Sequence, residues 1–149
     1  MIARRRLHRA VFIAAGIYNI SWGIFTVLDP QWFFHWAGMS PLNYPEVYQC
    51  LGMVIGLYGV VYLEVARRPE QGFVLAAVGL AGKILGPLGL AWNIYRGTWP
   101  PAAALMCLTN DIIWWAPFGF YLYDAWPWLS AERRACRADE LQTRLNKEL

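Results

Sequence analysis

Apolar residues run almost unbroken through residues 10–28, 47–66, 73–95 and 102–123. Each run is close to the ~20 residues an α-helix needs to cross ~30 Å of hydrocarbon. The pattern predicts an all-α fold, a four-helix transmembrane bundle. Basic residues set its orientation. Arg4, Arg5, Arg6 and Arg9 precede the first run, Arg67 and Arg68 follow the second, and Arg133, Arg134, Arg137, Arg144 and Lys147 lie in the tail. The other side holds Arg96 with Asp29 and Glu46, so the positive-inside rule places both termini in the cytoplasm.

Between the first two runs the pattern changes. Asp29 as N-cap, Pro30 at the first helical position and Gly38 as a stop predict a short aromatic helix over residues 31–37, lying in the outer interface. Ser40-Pro41 and Tyr44-Pro45 then turn the chain back. After Asp124, Trp126-Pro127-Trp128 reads as an interfacial anchor. Ser130 then caps a separate cytoplasmic helix, with Ala131, Ala135, Ala138, Leu141 and Leu145 as its weak apolar stripe and Glu140/Arg144 and Arg144/Glu148 as i,i+4 pairs. Residues 1–128 thus form the transmembrane domain and 129–149 an amphipathic tail.

Composition agrees. The 149 residues are 58% hydrophobic and 15% charged, against ~25% charged in a soluble domain. The net charge of +3 is a basic collar for anionic headgroups, not a nucleic-acid footprint. The first run contains Asn19 and ends in Val27-Leu28-Asp29-Pro30, which argues for a retained span over a cleaved leader. Cys50, Cys107 and Cys136 form no C-x-x-C, which disfavours thiol redox chemistry.

Small residues recur at helical spacing: Gly16 and Gly23 with Asn19, then Gly52, Gly56 and Gly59 with Gln49, then Gly79, Gly82, Gly86 and Gly89. Such stripes let backbones approach closely, within a chain or between copies of a homo-oligomer. Glu64 reads as an interfacial charge that pairs with Arg67 or Arg68. Pro87 and Pro117 predict bends near the charges of the third and fourth runs, and Pro87 frees a carbonyl one turn earlier, beside Lys83.

The chemistry lies in polar residues buried within these runs: Asn19, Lys83, Asn110 and Asp111. A charge at mid-membrane costs at least ~2.5 kcal/mol, so an embedded ionisable residue marks a candidate site. At about 1.5 Å rise per residue, Asn19, Lys83 and Asp111 differ in depth by only about 5 Å and form a layer. Asp111 is the candidate proton-handling acid, Lys83 its charge partner, and Asn19 and Asn110 orienting groups. Tyr18, Trp22, Gln49, Trp92, Asn93, Trp114 and Trp115 are the candidate ligand-binding residues of an aromatic chamber above that floor. Trp115, at i+4 from Asp111, is expected to stack over the acid, and Tyr44, Tyr48 and Gln49 to close the outer mouth. Trp32, Trp36, Trp99, Trp126 and Trp128 suit interfacial belts.

His8 and His35 fall at opposite faces, so no metal or haem site is expected, and no cofactor motif is present. An acid, a base, amides and π-faces suit a flat lipophilic molecule with one polar end, such as an isoprenoid, quinone or sterol-like lipid, and acid–base isomerisation, cyclisation or quinone-linked redox on it. The rival readings are a proton-coupled small-molecule transporter, a non-catalytic accessory subunit of a membrane complex, and a buried ion pair that only fixes packing.

The motifs GMVIGLYG (52–59), GKILGPLG (82–89) and NDIIWWAPF (110–118) resemble those of a group of small four-span bacterial membrane proteins that sometimes carry the label alkyl hydroperoxide reductase. No cysteine pair here resembles a peroxidatic and resolving couple. In size and topology the chain is also similar to DoxX-like proteins, some of which are linked to quinone-dependent oxidation. The resemblance implies a multi-pass protein of the bacterial inner membrane.

Overall fold

The computed structural model describes the backbone of residues 2–148 and the side chains of residues 2–130, and among these it is helical without strands. The elements are α1 (Arg5–Leu28), α2 (Trp32–Trp36), α3 (Pro45–Arg67) and α4 (Phe73–Tyr95), then a 3-10 turn (Pro101–Ala103), α5 (Ala104–Cys107), a π-helical turn (Leu108–Ile112) and α6 (Ile113–Glu148). Three helices, α1, α3 and α4, are long and apolar enough to cross a membrane. They expose large apolar residues such as Leu57, Val60 and Leu85, which marks helices solvated by lipid and the chain as a membrane protein. The predicted 73–95 run and α4 coincide. The fourth apolar segment is the exception, because it is assembled from four pieces.

Helices α1 and α3 pack antiparallel, backbone against backbone. A Cβ added at Gly23 would meet Gly52 O at 2.5 Å, and one at Gly59 would meet Gly16 O at 2.6 Å. Both glycine stripes are therefore engaged within the chain, the close approach that small residues permit. The α4 stripe behaves differently. Gly79 seats the Tyr62 ring, with Tyr62 Cε1 2.6 Å from an added Cβ, but Gly82 and Gly89 meet nothing within 4 Å.

Two apolar clusters occupy the two ends of the molecule. Near the termini, Phe12, Tyr62, Phe118 and Tyr121 interlock with ring centroids 4.5–6.1 Å apart, around Ala15, Val65, Ala76 and Ala125. At the other end, Phe33, Phe34, Ala37 and Ala103 are buried with Tyr48, Leu90, Trp99 and Met106 against them. Lys83 and Asp111 lie between these clusters.

Helix α2 differs from its expected form. Asp29 is the C-cap of α1, and Gln31 precedes α2 without a side-chain cap bond. Gln31 is instead held by Leu42, donating from Nε2 to Leu42 O at 3.1 Å and accepting from Leu42 N at 2.9 Å. Phe33 and Phe34 point inward, so α2 plugs the bundle end, with only His35 and Trp36 exposed. Gly38 (φ 70°) and Gly97 (φ 71°) close α2 and α4 with paired 6→1 and 5→2 bonds, Met39 N to Phe34 O with Gly38 N to His35 O, and Thr98 N to Asn93 O with Gly97 N to Ile94 O.

The terminal end is tied by polar contacts the sequence reading did not join. Arg4 donates to Asp124 from Nε (2.9 Å) and Nη2 (2.7 Å), and His8 Nε2 donates to Asp124 Oδ2 at 2.7 Å. Tyr121 Oη donates to Pro69 O at 2.7 Å and Arg5 Nε to Glu70 Oε1 at 3.0 Å, which pins the α3–α4 loop. Glu64 pairs with Arg67 (2.6 Å) and Arg68 (3.5 Å) as expected. The tail differs from its expected form: α6 runs on through Pro127 and Ser130. Ser130 Oγ donates to Trp126 O one turn back and does not cap a new helix. The side chains of the tail stripe and its charge pairs lie outside the described residues.

Two predictions follow from this packing. Gly23→Ala should lower the thermal midpoint in detergent by the overpacking cost of about 1–3 kcal/mol, whereas Gly82→Ala should be neutral or stabilising; equal effects would place the α1–α3 contact elsewhere. The Arg4 hydrogen bond, then that of His8, holds the Asp124 carboxyl down at about 2. A depressed carboxyl stabilises the fold above the ordinary value of about 3.9 and loses that contribution as pH falls toward 2. Wild-type stability should therefore drop between pH 5 and 2 more steeply than that of Asp124→Asn, and parallel pH profiles would contradict the clasp.

Candidate functional site

Lys83 sits at the middle of α4 with 5% of its surface exposed, so its ammonium needs partners from the protein. The π-helical turn supplies them. In that turn Ile113 N–H reaches back five residues to Leu108 O, a widening that is rare and recurs at functional sites. Lys83 Nζ donates to Asn110 O at 2.6 Å and lies 3.7 Å from Asp111 Oδ1. Asn110 Nδ2 donates to the same carboxylate oxygen at 3.3 Å. The predicted Lys83–Asp111 partnership thus exists, with a main-chain carbonyl as the shorter contact.

Trp115 completes this arrangement in an unexpected way. Proline at 87 has no N–H for the carbonyl four residues back, which is that of Lys83 itself. Trp115 Nε1 donates to Lys83 O at 2.9 Å and fills that vacancy. Trp115 is therefore a hydrogen-bonding clamp between α4 and α6. The carbonyl-freeing effect of Pro87 was legible in the sequence; the donor that answers it was not.

Above the polar layer lies a cavity of about 260 Å³. Asp111, Asn110 and Gly86 line one side, and Trp22, Phe33, Tyr48 and Trp99 supply aromatic walls, with Asn93 and Cys107 also at the surface. A Cβ at Gly86 would stand 3.7 Å from Asp111 Oδ2, so that oxygen faces the glycine side of the cavity. Phe33 and Trp99, one buried in α2 and the other expected in an interfacial belt, belong to this wall. Their sequence signal was weak, because both lie in short connecting segments that only the fold brings inward.

The remaining candidates divide. Trp22, Asn93, Asn110 and Asp111 meet at the cavity. Asn93 also stabilises the end of α4, donating from Nδ2 to Gly89 O at 2.8 Å and accepting from Thr98. Gln49 turns away, donating to Val27 O at 2.9 Å, and Tyr44 is exposed. Trp92 faces outward and packs on Tyr95. Tyr18 packs between Trp22 and Trp114, and Trp114 rests on Phe118. Asn19 is buried on the packed face of α1, its Oδ1 without a hydrogen bond. Neither Asn19 nor Trp114 lines the cavity. Cys50 and Cys107 are free thiols.

The chain matches no protein-family model, no curated protein and no solved structure. The site is therefore read from its own geometry: an embedded acid beside an aromatic cavity, with a buried cation behind it.

Two measurements test this geometry. Trp115→Phe should cost about 1–3 kcal/mol by orphaning the Lys83 carbonyl. Adding Pro87→Ala, which restores an in-helix donor, should recover part of that; additive losses would exclude the clamp. Likewise Asp111→Asn or Lys83→Met alone should cost ~3–5 kcal/mol and the double change less than their sum. Strict additivity would show that the pair does not interact.

Proposed function

We propose that the protein is a four-span, N-in/C-in bacterial inner-membrane protein that holds a lipophilic small molecule in the cavity above Asp111. One observation carries this reading: a single cavity wall combines the embedded acid and amide of the π turn with Trp22, Phe33, Tyr48 and Trp99. Apolar walls with a few convergent polar groups are the usual make-up of a small-molecule site. Aromatic faces suit a flat ring system, and a carboxylate at the cavity floor suits its polar end.

In this reading Asp111 accepts a hydrogen bond or a proton from the bound molecule. Lys83, behind the wall, stabilises the carboxylate, and Asn110 orients it. That is the equipment of an acid–base isomerisation or cyclisation, which moves a proton within one molecule and needs no external reactant. A proton-coupled transporter would need the same protonation of Asp111, and is told apart by needing a proton gradient, whereas the enzyme works in detergent without one.

Mass spectrometry of lipids extracted from gently purified protein tests the proposal. The wild type should carry an enriched ring-bearing lipophile at near-stoichiometric level, and Trp22→Leu, folded as judged by its melting curve, should retain at least fivefold less. An extract with the composition of bulk membrane lipid in both proteins would overturn it.

A further inference from the structure

A second space adjoins the cavity and has no role in the site as described. It is a groove of about 580 Å³ between the outer half of α4 and the α5–π-turn segment, walled by Leu88, Ala91, Ile94, Ala104, Leu105 and Leu108 among others. Its lining contains no charged residue and no amide. Leu90 and Cys107 line both spaces, so this pair of side chains is the partition between groove and cavity. Leu88, Leu105 and Leu108 are also exposed at the helix surface, so the groove opens sideways to the surroundings of the bundle.

Size decides what this adjacency means. At about 260 Å³ the cavity is below the roughly 300–1,000 Å³ of sites that enclose a whole drug-sized molecule. It accommodates a ring-sized head; an attached chain must leave, and the adjacent apolar space is the groove, reached past the Leu90 and Cys107 side chains. Acceptor chemistry at the floor then selects the head. The contacts from Lys83 and Asn110 both fall on Asp111 Oδ1, while Oδ2 lies on the Gly86 side of the cavity. A carboxylate oxygen pairs with a donor.

The geometry points to a single-chain amphiphile as the ligand: a hydroxyl-bearing ring in the cavity, donating to Asp111, with its apolar chain laid sideways along the α4–α5 groove. This inference rests on the cavity reading above and adds the ligand's class and its lateral route. A phospholipid acyl chain would satisfy the groove alone, but it would not link groove occupancy to a head bound at Asp111.

Isothermal titration in one detergent, using 4-ethylphenol, 4-dodecylphenol and the methyl ether of the latter, tests the link. The variants are Ala91→Phe and Ala104→Phe, one filling each wall of the groove; either alone suffices if the other fails to fold. Comparing proteins in the same micelles cancels partitioning of the probes. Dodecylphenol should bind each folded variant at least tenfold more weakly than wild type, ethylphenol should bind both within twofold, and the methyl ether should lose at least tenfold on wild type. Dodecylphenol binding that ignores both variants, an ether as good as the phenol, or equal losses for both chain lengths would overturn the inference while leaving the cavity reading intact. If neither phenol binds the wild type, the cavity reading falls with it.

Discussion

A lysine ammonium enclosed by apolar helices cannot stay charged without close partners, and its partners here are a backbone carbonyl and a carboxylate from one turn of the facing segment. Lys83 meets Asn110 O at 2.6 Å and Asp111 Oδ1 at 3.7 Å. Even after relaxation, burying an ion costs several kcal/mol, which only good geometry offsets. A regular α-helix binds its carbonyls internally, so a carbonyl acceptor is most easily presented where the helix widens. The π turn at Leu108–Ile112 coincides with that need, and it places Asp111 on the cavity wall.

A second backbone vacancy locks the same junction. Pro87 removes the donor for the Lys83 carbonyl, and the Trp115 indole replaces it, so α4 and the fourth apolar segment are cross-linked in both directions. The ring cluster around Phe12 and Phe118 lies on one side of this layer and the α2 plug around Phe33 and Phe34 on the other. The cavity opens within the second cluster, walled by its Phe33, Tyr48, Leu90, Trp99, Ala103 and Met106, and the polar groups of the π turn line its floor.

Much of this was legible in the residues. Uninterrupted apolar runs mark the helices, and α4 has its predicted bounds because Gly72 and Gly97 flank it. Glycine spacing marked stripes suited to close approach but not which pair would meet, since Gly82 and Gly89 of the α4 stripe meet nothing within 4 Å. The common depth of Lys83 and Asp111, by contrast, follows from rise per residue. What could not be read depends on distance along the chain. His8 and Asp124 are 116 residues apart, and their bond follows only once the first and fourth segments end side by side. Trp115 looked like a stacking wall because periodicity gives a side chain's face but not its hydrogen-bond partner. Asp29-Pro30 looked like a helix start, yet the short α2 is oriented by the Gln31–Leu42 bonds and by burial of Phe33 and Phe34, both tertiary effects.

The lysine–carbonyl contact is the point on which the site depends, and it can be measured directly. Rotational-echo double-resonance NMR on protein in bilayers, with 15N at the Lys83 side chain and 13C at the Asn110 carbonyl, reports their separation. Given the N···O distance and a C=O bond of about 1.23 Å, the two labelled nuclei should lie within about 4 Å and show strong dephasing. Weak dephasing, corresponding to a separation beyond about 6 Å, exceeds what a hydrogen bond permits. It would contradict the pairing of Lys83 with the π turn and the cavity floor built on it.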